Sequence, residues 1–166
     1  SGMGAYDQTK STFFATGEAF WESLLADLKA AKHFIFMEYF IIEEGRMWDA
    51  ILEILREKAE QQVDVRVMYD DLGSITKIPA KYDRKLRSYG IHCVKFNPFR
   101  PILSAVHNNR DHRKITVIDG TVGYTGGINL ADEYINHTHP YGVWNDAAVR
   151  LGEYPGCLLV LLSIMP

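Results

Sequence analysis

His33-Phe34-Ile35-Phe36-Met37-Glu38-Tyr39-Phe40-Ile41-Ile42 is apolar apart from His33 and Glu38 and rich in Ile and Phe. A strand with one solvated face would alternate, so this stretch reads as a strand buried on both faces. Such a strand needs packing above and below it, and its flanks supply the layers. Upstream, residues 18–32 place Phe20, Trp21, Leu24, Leu25, Leu28 and Ala31 at helical spacing. Downstream, residues 46–61 are again helical, with Trp48, Ile51, Leu52 and Leu55 on one face. Val63, Val65 and Val67 then alternate with Asp64, Arg66 and Met68, a second strand. Pro79 opens a third helix that closes at Gly90, and residues 91–96 follow as a strand. The repeated helix-strand order predicts an α/β fold with a mixed, largely parallel β-sheet flanked by helices. Residues 97–109, with Pro98 and Pro101, break the pattern and are expected to form a loop beside the site. Two further strands, 113–118 and 122–125, flank Asp119-Gly120, a hairpin turn pair.

The chain has 166 residues, 47% hydrophobic and 23% charged, which suits one α/β domain spanning residues 1–166. Residues 1–4 read as a remnant of cloning ahead of the natural chain. Two cysteines, Cys93 and Cys157, are too few for a disulfide framework and lack zinc-site spacing. The apolar run at 157–165 is too short to span a bilayer, so this chain by itself is expected to be soluble. The net charge of −3 conceals a division along the chain. Residues 77–114 hold ten Lys/Arg against two Asp/Glu, whereas both flanking segments are acidic. That middle segment ends at His112 and Lys114 and would attract an anion.

In an extended strand, residues two apart share a face, so His112, Lys114 and Thr116 point one way and Arg113, Ile115 and Val117 the other. With Cα atoms about 6.5 Å apart, an imidazole and a lysine ammonium can reach one phosphate. A neutral imidazole can attack phosphorus near neutral pH while the lysine neutralises the equatorial oxygens. His112 is therefore the expected nucleophile and Lys114 the expected phosphate holder. Gly126, Gly127 and Asn129 form a small-residue turn where amides can approach a phosphate. Asp119 faces away from the pair and precedes Gly120, so geometry favours a turn-fixing role. The imidazole needs an acceptor to fix its tautomer, and Asp146 is the candidate. Glu38 is either a buried partner of the site or a solvent-facing strand residue. His107, His137 and His139 lack the carboxylate or thiol spacing of a metal site, so no metal and no cofactor is expected.

His112-Arg113-Lys114-Ile115-Thr116-Val117-Ile118-Asp119-Gly120, followed by Thr125-Gly126-Gly127-Ile128-Asn129-Leu130-Ala131-Asp132-Glu133-Tyr134, resembles the HKD motif of the phospholipase D superfamily, in the wording of bacterial cardiolipin synthases. Asn108, Arg110, Asp70-Asp71-Leu72-Gly73-Ser74, Glu38 and Trp144-Asn145-Asp146 extend the likeness over residues 15–153. The resemblance implies a phospholipase D-like domain in which His112 forms a phosphatidyl-histidine intermediate. It implies that Lys114 and Asn129 bind the phosphate, that Asp119 completes the catalytic motif, and that Asp146 stands where the acid orienting the nucleophile is placed. It further implies metal-free phosphatidyl transfer from one phosphatidylglycerol to another at a bacterial membrane, on the cytoplasmic side. Family members carry two motifs per site and this sequence carries one, so a second motif must come from the parent chain or another copy. Pro155 and Gly156 depart from the family, whose last strand runs into a helix.

Two other classes stay open, a single-motif homodimeric phosphodiesterase or nuclease and a non-catalytic scaffold domain. A pI near 6.0 does not favour nucleic acid, and a scaffold would have lost motif residues. The expected partner is an anionic phospholipid at a membrane surface.

Overall fold

The structure, a computed structural model, describes residues 10–96 and 112–152. The expected loop at 97–109 and the departure after Pro155 lie outside the described residues. β1 (Lys10–Phe14) and α1 (Gly17–Ala30) lead into the apolar stretch, whose strand is β2 (Phe34–Tyr39). α2 (Arg46–Glu60), β3 (Asp64–Asp70), the single turn α3 (Asp71–Ser74), α4 (Tyr82–Ser88) and β4 (His92–Phe96) follow. β5 (Lys114–Ile118), β6 (Val122–Gly126), a 3₁₀ turn over Asp132–Ile135 and β7 (Ala148–Gly152) complete the described chain.

The seven strands form one mixed sheet in the order β1-β7-β6-β5-β2-β3-β4. Between the named strands, β2–β3 and β3–β4 are parallel and the other four pairings are antiparallel. The sheet is mixed and flanked by helices as expected, but parallel pairs do not dominate it. A parallel pair needs a crossover connection, which α2 and α4 supply, whereas β5 and β6 are joined by a hairpin that can only be antiparallel.

Among the described residues, the helices cover β2 on one face. Ile35, Met37 and Tyr39 are buried against Phe20, Leu24 and Leu28 of α1 and Trp48, Ile51 and Leu55 of α2. On the other face Phe34 and Phe36 pack on Ile115 and Val117. Each buried side chain of this size contributes about 1.5–3 kcal/mol, so the β2–α1–α2 contact carries much of the stability. Thr16 caps α1 by accepting a hydrogen bond from the Ala19 amide at 3.3 Å. The third helix starts at Tyr82 rather than Pro79, because Lys81 adopts a left-handed conformation (φ 63°) just before it. β1 was not legible: all but its last residue are exposed, and its ladder to β7 holds it rather than side-chain burial. Cys93 is buried, which pushes its thiol up to about 12.

The β5–β6 turn ties the sheet together. Asp119 (φ 52°) and Gly120 (φ 71°) both take positive φ, the conformation this hairpin dipeptide favours. The Asp119 carboxylate accepts hydrogen bonds from the backbone N–H groups of Lys32, His33 and Phe34 at 2.8, 2.7 and 2.9 Å, anchoring the start of β2. Partial burial pushes its pKa up, but the three amides together outweigh burial and hold it below the usual value. Asp119→Ala should therefore cost about 2 kcal/mol at neutral pH. The depressed pKa gives stability that is full above the unfolded value of about 4 and lost as pH falls through the folded value. Chemical denaturation at pH 7 and below pH 4 checks this. The deficit should narrow in acid, and a deficit that is equal at both would rule out the carboxylate as its source.

Candidate active site at the start of β5

His112 precedes β5 and is exposed, and its ring stacks on Phe40 with centroids 4.1 Å apart and planes 20° from parallel. Lys114 donates from Nζ to the His112 carbonyl oxygen at 2.6 Å, and the same Nζ lies 5.5 Å from the Phe40 ring centre. The two side chains thus converge on one aromatic ring, as the two-residue spacing predicts. The register Tyr39↔Lys114 places the lysine where β2 ends, and its stem borders a narrow recess with Phe20, Tyr39, Ile128 and Ala148.

Phe40 is a platform that the sequence reading missed. The Asp70–Ser74 turn fixes it: Ser74 Oγ donates to the Phe40 carbonyl at 3.4 Å and accepts from the Ile42 amide at 3.1 Å. Asp70 caps that turn by accepting from the Leu72 and Gly73 amides. A Cβ on Gly73 would stand 2.4 Å from the Phe40 carbonyl oxygen, so only glycine permits the approach. The signal was present as a Gly-Ser turn after a strand, but nothing local says which residue it touches.

On the opposite side of β5, Arg113 Nη2 lies 2.7 Å from Glu38 Oε1. Glu38 is 2% exposed, which excludes the solvent-facing alternative. It faces away from Lys114, on the Phe34 and Phe36 side of the sheet.

Asp119, grouped with the catalytic residues by resemblance, stands at the far end of β5 from Lys114. Its carboxylate accepts from the Lys32, His33 and Phe34 amides, the kind of turn-fixing contact that geometry favoured. Gly127 donates its amide to the Ala147 carbonyl at 3.0 Å, so that N–H already has a partner. Its missing Cβ matters more, because a methyl there would lie 2.1 Å from Asp146 Oδ1. Asp146 sits over Gly127 and accepts from the Ala147 amide at 2.8 Å, and no hydrogen bond joins it to His112 among the described residues. The loop before Asp146 is clamped by Asn136, which accepts from the Trp144 amide and donates to the Trp144 carbonyl and to Glu18.

Asn129 is buried. Its Oδ1 accepts from the Ile41 amide at 3.0 Å and its Nδ2 donates to the Tyr134 hydroxyl at 2.9 Å. It therefore joins the end of β2 to the 3₁₀ turn. Of the remaining histidines, His137 Nδ1 lies 3.5 Å from Arg46, and His107 is outside the described residues. Among the described residues no group of three His, Cys, Asp or Glu side chains could hold a metal.

A family profile described as "Cardiolipin synthase, PLD-like domain" matches residues 24–148. The chain belongs to the phospholipase D-like family of cardiolipin-synthase type. Cardiolipin synthase 2 of Staphylococcus epidermidis is 38% identical over 141 residues, 84% of this chain and 29% of the relative. Cardiolipin synthase of Geobacillus kaustophilus is 40% identical over 139 residues, 83% of this chain and 28% of the relative. The chain thus spans less than a third of the length of these curated relatives. NucT from Helicobacter pylori shares the fold, with a TM-score of 0.69 at 13% identity, covering 94% of this chain and 92% of that one. In this phospholipase D-like domain residues 112–120 run along β5 and into its hairpin.

Asn129→Ala should leave the Ile41 amide and Tyr134 hydroxyl buried without their partner and cost about 2–3 kcal/mol. A drop in melting temperature checks it, and an unchanged melt would show that the amide is not structural.

Proposed function

We propose that this domain is the first half of a phosphatidyltransferase active site, using His112 as nucleophile on phosphatidylglycerol. The observation that carries the reading is the convergence of His112 and Lys114 on the Phe40 ring at the open end of β5. The 38–40% identity to proteins named cardiolipin synthase supports the substrate class.

In the first step an imidazole nitrogen of His112 bonds to phosphorus, and the bond from phosphorus to the head-group glycerol oxygen breaks. The leaving oxygen takes a proton from an acid on the far side of the phosphate, and glycerol departs. In the second step a hydroxyl of another phosphatidylglycerol loses its proton to the same far-side group and attacks phosphorus, releasing the imidazole. The Lys114 ammonium offsets charge on the equatorial oxygens in both steps. Asn129 keeps one amide hydrogen beyond its bond to Tyr134, and in this reading it goes to a phosphate oxygen. Gly127 contributes by admitting Asp146 to the site's edge, from which the carboxylate reaches the imidazolium once substrate has ordered the site.

His112 cannot act as the second proton-transfer group while it is bonded to phosphorus, so another imidazole must face it. A following domain with its own HKD motif supplies it, the assembly works at a membrane surface, and the phosphatidyl donor lies in the cytoplasmic leaflet. No helix among the described residues is long and apolar enough to cross a membrane.

His112→Ala should lose more than a thousandfold in cardiolipin formation by the full-length protein on phosphatidylglycerol vesicles. Its melting temperature should fall by only a few degrees, since the change removes one exposed ring stack worth about 1 kcal/mol. Lys114→Ala should follow it. Transfer within tenfold of wild type would end the nucleophile assignment, and a symmetric dimer of this chain that cleaves phosphodiesters without lipid transfer would overturn the half-site reading.

Because charge on the phosphate is met by side chains alone, excess EDTA should leave initial rates within twofold. Activity that vanishes with chelator and returns with one added divalent ion would contradict the mechanism.

A further inference from the structure

Beyond Phe40 the chain continues into a cavity of about 430 Å³, lined by Glu43, Lys77, Asp132, Glu133, Thr138 and Tyr141, among others. That volume lies in the range of small-molecule sites, about 300–1,000 Å³. One wall follows β2 and the other is the 3₁₀ turn. They are held together by the Glu43 amide donating to the Leu130 carbonyl at 3.0 Å and by the Ile42–Leu130 bridge. Glu43 is three residues after Phe40, so its Cα lies at most about 10–11 Å from that of the residue on which His112 stacks.

The cavity is rich in carboxylates, but most of them are engaged. Glu43 is paired with Lys77 at 2.9 Å and Glu44 with Lys85 at 2.7 Å. Asp132 accepts from the Arg46 and Met47 amides at 3.0 and 2.8 Å, capping α2. Glu133 is the exception. It is 7% exposed, lines the cavity, and has no hydrogen bond or ion pair among the described residues. Its carboxylate oxygens are not sealed from solvent, and through the cavity that Glu133 lines an entering donor can reach them.

We propose that this cavity binds the glyceryl head group of the lipid, with Glu133 accepting from one of its hydroxyls. The inference rests on the phosphatidyltransferase reading and names the part of the site that selects the alcohol. Glu133 accepts, the Lys77 ammonium donates, and the Thr138 hydroxyl does both, a set that complements a neutral vicinal diol. A phosphate is disfavoured by Glu43 and Glu133. The hydrogen bond that Lys77 donates to the Glu43 carboxylate, with the charge of Glu133 adding to it, raises the pKa of Lys77 and keeps it charged. In this proposal the head group's outer hydroxyls enter the cavity that begins three residues beyond Phe40, the residue on which His112 stacks. Neither Glu133 nor Lys77 touches the reacting phosphate. They are positioning residues for the alcohol that leaves or enters.

The test uses the full-length protein, phosphatidylglycerol vesicles and added glycerol as competing acceptor, measuring phosphatidyl transfer and phosphatidic acid release together. Glu133→Gln should raise KM for glycerol at least tenfold and shift the ratio of transfer to hydrolysis at least tenfold toward hydrolysis. Thr138→Val, at an exposed position that the fold does not need, should move both in the same direction, and it keeps the test decisive should Glu133→Gln fail to fold. A KM within twofold of wild type in folded variants overturns the inference while leaving the transferase reading intact. A wild type that prefers ethanolamine to glycerol tenfold overturns the diol assignment in favour of a cation site. A wild type that transfers no phosphatidyl group at all removes both readings together.

Discussion

The antiparallel pairing of β2 with β5 is the constraint on which the rest of the molecule depends. Its register, Tyr39↔Lys114 through Ile35↔Ile118, decides that Lys114 rises where β2 ends and that Arg113 reaches Glu38 on the reverse face. A slip of one residue would exchange the two faces of β5, carrying Lys114 and Thr116 to the Phe34 and Phe36 side and turning Ile115 and Val117 toward the helices. Two devices resist it. Asp119 clamps the three amides at the start of β2, and Ile115 and Val117 are buried against Phe34 and Phe36. The chemistry at one end of β5 is thus held in place by a turn at the other.

The site itself is built from segments that are remote in sequence and short of regular structure. Phe40 leaves β2 and is gripped by the Asp70–Ser74 turn. Asn129 links Ile41 to Tyr134, and Asn136 binds the loop that carries Asp146. Each contact satisfies backbone groups where strands end, which is where buried polar groups most need partners. Rigid strand ends present the residues, and polar side chains lock the turns between them, so that an exposed imidazole stands on a fixed platform.

Charge shows the same division between local and distant. The basic segment at 77–114 looked like an anion-attracting surface, but Lys77 pairs with Glu43, Lys85 with Glu44, and Arg87 and Lys95 with Asp83. Part of its excess is thus answered by acidic residues within reach in space, Glu43 and Glu44 among them. Among the described residues the positive charge beside His112 is Lys114, with Arg113 turned to the other face.

The sequence by itself determined the α/β class, the helices facing β2 and the His112–Lys114 pair. These follow from periodicity, and periodicity is a local property of a chain: apolar spacing sets which face of an element is buried, and alternation sets which side chains share a face. It also carried the family, through a motif whose residues are contiguous. Only the tertiary structure decided the balance of parallel and antiparallel pairs, the presence of β1, the contacts of Asp119, Gly127 and Asn129, the platform at Phe40 and the placing of Glu133 on a cavity. Each of these is a contact between residues far apart in the chain. Strand order, the approach of one turn to another and the pairing of charges are set by how the layers close over β2, and no local pattern in the sequence encodes the partner that closure brings near.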